Sequence, residues 1–357
     1  MNYFLFLSLC NAEFSPAFGC ISDLERILEE ELGFEPIYVR ASKLTTGRLQ
    51  SWLRRFVGRS TRYELENSGS ELEGDLLFVS VIRPDQLDVI LTISEVTKRF
   101  KKIVAVVFDS WGHFNPLRLS EKFDAIFVSS PDAVDRFASA FGTQVYFLPL
   151  GVDALRFGSE NDNRPIHVIG YGKKDPDVSR KLYSQIESPI GLVYYSTPWS
   201  KLEVRSHRIQ RVHFWQFLRL SVVSLCYHSD VVRKTDLGVR FVPQRYFESL
   251  AAGCLVFGTM PPRQPGIEKI SWEDSVVELP PDDKDVIARI RSLLADADRL
   301  ELIRKRNYRN SLALNDWRHR LNEIMSILSI NSKQATESVR RVQLVVDKLS
   351  RTDLRPH

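Results

Sequence analysis

The stretch 238–258, GVRFVPQRYFESLAAGCLVFG, decides the fold because its pattern predicts a helix followed directly by a buried strand. Pro243 suits the first turn of a helix, and Gly253 suits its end. Ala251 and Ala252 are small enough for the helix to pack closely on its neighbours. The following CLVFG is apolar on successive residues, as expected for a parallel strand covered on both faces. The stretch therefore predicts an α/β architecture.

Short apolar runs alternate with helical periods along the chain, which is the pattern of parallel sheets with crossover helices. The predicted strands are 3–9, 36–40, 75–82, 102–108, 124–129, 145–150, 166–171, 191–196, 222–227, 254–259 and 275–279. The predicted helices are 21–32, 85–100, 131–141, 176–187, 206–220, 242–252, 284–312, 316–329 and about 335–350.

The polar run GSENDNRP at 158–165 is typical of a linker between domains. We therefore predict two doubly wound, Rossmann-like domains that face a cleft, over residues 1–155 and 156–315. The remaining residues, 316–357, are predicted to form helices that pack back across that cleft. Ligands bind outside the carboxyl ends of such sheets, so the cleft is the expected site.

The amino-acid composition argues against a nucleic-acid-binding protein, a zinc site and a disulfide framework. The chain has 357 residues, of which 43% are hydrophobic and 26% charged, enough for two domains with cores of their own. The 49 Lys and Arg residues against 45 Asp and Glu give a net charge of +4, too small to indicate nucleic-acid binding by itself. The four cysteines lie far apart without a CxxC pair, which argues against a zinc site and a disulfide framework.

The opening MNYFLFLSLC contains an apolar run, but no basic residue precedes it, so it fits a buried strand better than a signal peptide. No apolar run approaches the length needed to span a bilayer. We expect a cytoplasmic protein, either soluble or peripheral on the cytoplasmic face of the membrane.

The helix of the opening stretch also carries chemistry. Backbone N–H groups at 240–243 precede its first turn and suit a bound phosphate, helped by the helix dipole. Arg245 and Glu248 are three residues apart and share a face of the helix. A guanidinium can clamp a diphosphate, and a carboxylate can accept both hydroxyls of a ribose. The alternative is a surface ion pair between these two residues, worth a few tenths of a kcal/mol.

Three segments together resemble one family. RYFESLAAGCLVFG, preceded by VSLCYH, resembles the nucleotide-sugar signature of GT-B glycosyltransferases, in particular the family-4-like and CgeB-like group. The segment 123–157, which ends in LPLGVDALRF, resembles the crossing between the two domains of that group. DWRHRLNEIMSIL at 316–328 resembles its C-terminal helix. The resemblance implies the GT-B fold and transfer of a sugar from a nucleoside-diphosphate sugar.

Carried over by position, Glu248 matches the carboxylate that binds the donor ribose, and Arg245 matches a diphosphate ligand. The chain departs from the family eight residues before Glu248, where Arg240 stands in place of a first glutamate. Arg240 leaves the donor sugar and the stereochemistry open, and it can add positive charge near the phosphates.

Further donor-site candidates follow other strands. Lys173 and Lys174 in IGYGKKD match a basic residue that neutralises the departing diphosphate in the family, although such turns are also found simply solvated. His228 ends VSLCYH and can face the base. Gly19, beside Phe18, lies in the loop after the first strand, where a plain strand-to-helix turn is the alternative.

Asp109 and His113 are the candidates for a general base. Asp109 ends a buried strand and His113 follows in the loop, where either can take a proton from an acceptor hydroxyl. The alternatives are a helix cap for Asp109 and a structural role for His113. No metal site is expected, because the DxD at 296–298 is predicted to lie on a solvated helix, and no cofactor beyond a UDP- or GDP-sugar donor is implied.

The segment 47–62, GRLQSWLRRFVGRSTR, has five arginines and no acid, with apolar residues at helical spacing. A basic amphipathic helix of this kind suits an anionic membrane surface, and the alternative is a helix whose apolar side packs on the sheet.

We therefore predict a metal-independent hexosyltransferase with a polysaccharide, lipid-linked or protein acceptor held by the first domain. A catalytically inert nucleotide-sugar-binding protein and a nucleotide-sugar epimerase of the same fold are the alternatives.

Overall fold

A computed structural model describes residues 3–42, 63–66, 72–111, 121–172, 174–186, 191–197, 202–228 and 239–352 of the chain. The chain divides into two compact units. Unit 1 comprises Met1–Leu148 and Glu203–His207, and unit 2 comprises Pro149–Leu202 and Arg208–His357.

Unit 1 is built on a seven-stranded sheet among the residues described, in the order β3-β2-β1-β4-β5-β6-β7. All neighbouring strands are parallel except β2 and β3, which pair antiparallel at the edge. The strands are β1 Phe4–Ser8, β2 Glu35–Ala41, β3 Tyr63–Leu65, β4 Gly74–Val81, β5 Phe100–Val107, β6 Ala125–Val128 and β7 Gln144–Phe147. Its helices are α1 Gly19–Glu30, α2 Val96–Arg99 and α3 Val134–Phe141, with 3₁₀ turns at Pro16–Phe18, Pro84–Thr92 and Pro131–Ala133.

The apolar runs of unit 1 become central strands. Leu76, Leu77, Phe78 and Val79 of β4 are all completely buried, because crossover connections cover both faces of a parallel sheet. The chain passes from β1 outward to β2, then returns to β4 on the other side of β1. The switch point of this sheet therefore lies between β1 and β4.

Unit 2 is built on a parallel sheet in the order β12-β11-β10-β8-β9. The strands are β8 Ile166–Gly170, β9 Tyr194–Ser196, β10 Ser221–Cys226, β11 Leu255–Gly258 and β12 Val276–Glu278. The helices are α4 Ala154–Phe157, α5 Pro176–Tyr183, α6 His207–Arg219, α7 Gln244–Ala251, α8 Val286–Ala295, α9 Ala297–Asn315, α10 Trp317–Ile327 and α11 Lys333–Thr352, with a 3₁₀ turn at Ile267–Lys269. The switch point of this sheet lies between β8 and β10.

Glycines end three helices. Gly33, Gly142 and Gly253 have φ of 73°, 64° and 74°, the left-handed conformation that glycine adopts without steric cost. Gly253 is also tightly enclosed, since a Cβ atom at this position would lie 2.4 Å from the carbonyl oxygen of Ser159. Glycine is therefore required there on two separate grounds.

A buried charged network joins the start of unit 2 to its C-terminal helices. The Arg318 guanidinium lies 2.8 Å from Asp316 and 2.9 Å from Asp153, and all three side chains are almost completely buried. Each carboxylate also caps a helix, Asp153 through the N–H of Arg156 and Asp316 through the N–H of Arg318. The network therefore supports both α4 and α10.

Two predicted helices are wrong as continuous elements. Residues 85–100 form a 3₁₀ turn and then the short α2, because Glu95 adopts left-handed backbone with φ of 51°. The predicted helix 284–312 is interrupted at Asp296, whose side chain accepts a hydrogen bond from the N–H of Arg299 and begins α9. The DxD motif thus lies at a junction between helices.

The C-terminal helix α11 packs against α9 and α10 within unit 2. Within the ranges described, no helix combines the length and the hydrophobicity needed to cross a membrane.

Candidate functional site

The candidate site of unit 2 lies at the switch point of its sheet, where the loops after β8 and β10 leave the carboxyl edge. Tyr171 and Gly172 follow β8, and His228 follows β10. Helix α7 begins beside both loops. This is the position at which open α/β sheets bind their ligands.

Two buried tyrosines fix α7 to the strand ends. The Tyr171 hydroxyl donates to the carbonyl oxygen of Arg245 at 2.9 Å and lies 3.0 Å from Oγ of Ser249. The Tyr246 hydroxyl lies 2.6 Å from the carbonyl oxygen of Thr259, just beyond β11. Burial raises the pKa of Tyr171 and of Tyr246 well above the ordinary value of 10.0, so both remain protonated donors. The first turn of α7 is therefore held rigidly.

The N-terminus of α7 has no side-chain cap, because Pro243 occupies the N-cap position. The half-buried Arg245 lies in the first turn and packs over Gly172, where a Cβ atom would lie 3.7 Å from Cζ of Arg245. Gly172 has φ of 65°, which favours glycine. Uncapped N–H groups beside a guanidinium form an arrangement suited to an anion with several oxygens.

Glu248 lies one turn further along α7 and forms a buried ion pair that the sequence did not predict. Its Oε1 lies 2.7 Å from Nη2 of Arg211 on α6, and the two side chains are 6% and 3% exposed. This contact joins Glu248 to a residue of another helix, which the spacing within α7 does not predict. The guanidinium of Arg211 also lies 4.5 Å from the Phe214 ring and 5.3 Å from the Trp215 ring.

The other donor-site candidates are spread around this edge. Lys174 donates from Nζ to Oγ of Ser196 and to the carbonyl oxygen of Thr197, and burial lowers its pKa. The His228 ring is buried with its centroid 5.1 Å from that of Phe241. Arg240 is exposed. Lys173 lies outside the described residues.

In unit 1, Asp109 follows β5 and is half-buried, with its N–H bonded to the carbonyl oxygen of Ile82 at 2.7 Å. Its loop is secured because the N–H of Ser130 donates to Oγ of Ser110, and Arg136 donates to the carbonyl oxygen of Ser110. Gly19 is the buried first residue of α1. His113 and the basic segment 47–62 lie outside the described residues.

The switch point of unit 1 holds a polar group that the sequence interpretation missed. Oε1 of Glu13 accepts hydrogen bonds from the Tyr63 hydroxyl at 2.7 Å and from Nε2 of Gln86 at 3.0 Å. Glu13 is in the loop after β1, and Gln86 is in the 3₁₀ turn Pro84–Thr92 that follows β4. The position of Glu13 after a strand was visible in the sequence, but its partners come from separate segments.

Among the residues that the structure describes, no group of three or more His, Cys, Asp or Glu side chains is placed to hold a metal ion. The four cysteines are free thiols.

Part of the chain is similar to a known protein family. Residues 159–326, which contain the β8–β10 switch point and α7, match the Glyco_trans_1_2 family model, described as glycosyl transferase-like. No curated protein sequence gives a significant match.

Solved structures show the fold over nearly the whole chain. HepE from Anabaena, solved in complex with UDP and glucose, is 12% identical with a TM-score of 0.53, over 92% of this chain and 100% of HepE. HepE in complex with UDP-glucose is 11% identical with a TM-score of 0.52, over the same shares of the two chains. The pneumococcal O-GlcNAc transferase GtfA, in complex with UDP and GlcNAc, is 14% identical with a TM-score of 0.41, over 77% of this chain and 57% of GtfA.

Proposed function

We propose that the chain is a glycosyltransferase that binds a nucleoside-diphosphate sugar through unit 2 and transfers the sugar to an acceptor hydroxyl. The observation that carries the proposal is the uncapped N-terminus of α7, with Arg245 packed over Gly172 at the β8–β10 switch point. Backbone N–H groups and one guanidinium together suit the four non-bridging oxygens of a diphosphate.

The chemistry follows from the charge of the leaving group. As the acceptor oxygen bonds to the anomeric carbon, the bond from that carbon to the diphosphate oxygen breaks, and the acceptor proton passes to a base. The departing diphosphate gains negative charge, which preorganised donors stabilise more in the transition state than in the ground state. In this proposal the α7 N-terminus and Arg245 provide those donors.

We propose that this charge compensation makes the enzyme independent of a metal ion, since helix N–H groups and an arginine do the work of a divalent cation. A hexose is the proposed sugar. The complexes of HepE with UDP and UDP-glucose make uridine nucleotides the first donors to test.

Unit 1 is proposed to take the acceptor, with Asp109 and His113 as the proposed bases. A glycan, a lipid-linked sugar or a protein at the cytoplasmic face of the membrane is the proposed setting, in polysaccharide biosynthesis. The support is the basic segment 47–62, which suits an anionic lipid surface.

A catalytically inert nucleotide-sugar-binding protein is the second candidate. Two observations favour it: Arg240 stands where the family has a glutamate, and the Glu248 carboxylate is buried against Arg211. Such a protein would bind the donor without releasing its sugar.

Calorimetry and donor turnover separate these candidates. We expect UDP, ADP or GDP to bind the purified protein, and Arg245→Gln to weaken that binding at least tenfold. Arg180→Gln, an exposed arginine on α5, is the matched control and should bind as the wild type does. Release of nucleoside diphosphate from a bound nucleotide sugar identifies the enzyme. Binding without release identifies the inert protein, and failure to bind any of the three nucleotides contradicts the proposal.

A further inference from the structure

The ion pair between Arg211 and Glu248 has a geometry that orients a carboxylate. Helix α6 carries Arg211 on its buried side, together with His207, Phe214, Trp215 and Leu218. The guanidinium crosses to α7 and reaches Oε1 of Glu248 at 2.7 Å. An ion pair at this distance between two buried side chains holds the carboxylate beside the guanidinium, because either charge left unpaired there would be costly.

Aromatic packing restricts the arginine itself. Its Cζ lies 4.5 Å from the centroid of the Phe214 ring and 5.3 Å from that of Trp215, and the Trp215 ring stacks on Phe157 with centroids 5.2 Å apart. A planar guanidinium stacks on aromatic faces in a way that a lysine ammonium does not. The side chain is therefore held in one orientation before it contacts Glu248.

We propose that Arg211 is the positioning residue that holds the Glu248 carboxylate toward the ribose hydroxyls of the donor nucleotide. The inference rests on the proposed function, and it takes Glu248 as the ribose ligand that the family resemblance implies by position. A carboxylate offers about four lone-pair positions, so contact with a guanidinium leaves it able to accept hydrogen bonds from two vicinal hydroxyls. Arg211 contacts the nucleotide only through Glu248.

A purely structural arginine and a positioning arginine predict different results with deoxynucleotides. Loss of a structural contact weakens the ribonucleotide and its 2′-deoxy form equally. Loss of the orientation of Glu248 weakens the ribonucleotide more than its 2′-deoxy form, because the ribonucleotide loses two hydroxyl contacts and the deoxy form loses one. The ratio of the two dissociation constants is therefore the measurement that decides between the roles.

The experiment compares UDP with 2′-deoxy-UDP by calorimetry, and likewise the ADP and GDP pairs. For the wild type we expect a preference of about tenfold or more for the ribonucleotide, as for a hydrogen bond to a charged group. Arg211→Lys keeps the charge but lacks the planar fork, and we expect the preference for the ribonucleotide to fall below about threefold. Arg211→Gln should behave in the same way.

The matched controls are Arg208→Lys and Arg208→Gln, at an exposed position on the same helix, which should keep the wild-type preference. If the Arg211 variants do not fold, Phe214→Leu removes one stacking ring, keeps the charge and should also lower the ratio. A wild-type preference retained in the folded variants overturns the role of Arg211. Equal wild-type affinities for UDP and 2′-deoxy-UDP overturn it as well, whereas a wild type that binds no nucleotide overturns the proposed function.

Discussion

Nη1 of Arg318 lies 2.9 Å from Oδ1 of Asp153 in a region of unit 2 where neither side chain is accessible to solvent. Removal of the arginine leaves two buried carboxylates, Asp153 and Asp316, without a compensating cation. We therefore expect Arg318→Met to lower the free energy of unfolding by about 3–5 kcal/mol. Urea denaturation measures the change. Asp177→Ala, which breaks an exposed pair with Arg180, should cost at most about 1 kcal/mol, and equal losses in the two variants would contradict the expectation.

Gly253 and Gly33 form a natural pair of test and control. Both have left-handed backbone, with φ of 74° and 73°, so an alanine at either position costs about 1–2 kcal/mol. A Cβ atom at Gly253 would also lie 2.4 Å from the carbonyl oxygen of Ser159, whereas at Gly33 nothing lies within 4 Å. Gly253→Ala should therefore lower the melting temperature clearly more than Gly33→Ala. Equal shifts would show that the backbone near Ser159 adjusts freely.

The Tyr171 hydroxyl links the end of β8 to α7 through hydrogen bonds. Tyr171→Phe removes the bonds to Arg245 and Ser249 while it keeps the ring. We expect a loss of about 1 kcal/mol in stability and a several-fold weaker affinity for nucleoside diphosphates, because the first turn of α7 is less well fixed. Tyr183→Phe, at an exposed tyrosine, is the control. Unchanged affinity in Tyr171→Phe would mean that the turn is held by other contacts.

Because two cysteine thiols are buried, we expect the free energy of unfolding to fall in alkali. Burial raises the pKa of Cys226 to about 11 and that of Cys254 to about 12, from an ordinary value of 9.0 that applies to the unfolded chain. Between pH 9 and 11 the folded state holds more protons, so the free energy of unfolding falls as pH rises, by up to about 1.4 kcal/mol per pH unit for each thiol. Urea midpoints at pH 8, 9 and 10 measure this slope. Cys254→Ala should make it shallower, and an unchanged slope would assign it to other groups.

The sequence predicts the central parts of both sheets well, since apolar runs without alternation mark strands that are covered on two faces. It does not predict β3, because the three residues YEL at the edge of the sheet carry too short a pattern. It does not predict the break at Asp296 either, because helical periodicity continues on both sides of this residue. Local patterns thus place elements more reliably than their ends.

The same distinction applies to the candidate site, where local spacing predicts some contacts and tertiary packing produces the others. Arg245 and Glu248 are adjacent on one helix, so spacing alone places them together. Arg211 reaches Glu248 from a different helix, α6. Glu13, Tyr63 and Gln86 lie on three separate segments of the chain. Local spacing therefore predicts neither contact. Side chains that meet through tertiary packing need the structure to be recognised.

The network around Arg318 has a consequence for synthesis on the ribosome. The N–H of Leu155 donates to Oδ2 of Asp316, and the N–H of Trp317 donates to the carbonyl oxygen of Val152, across about 160 residues of sequence. Translation adds about 5–20 residues per second, so α4 is synthesised roughly 10–30 s before the segment at Asp316 that it contacts. A nascent chain that ends before Asp316 therefore lacks both the carboxylate that accepts from the N–H of Leu155 and the guanidinium that neutralises Asp153, and unit 2 can reach its native state only after residues 316–318 have been made.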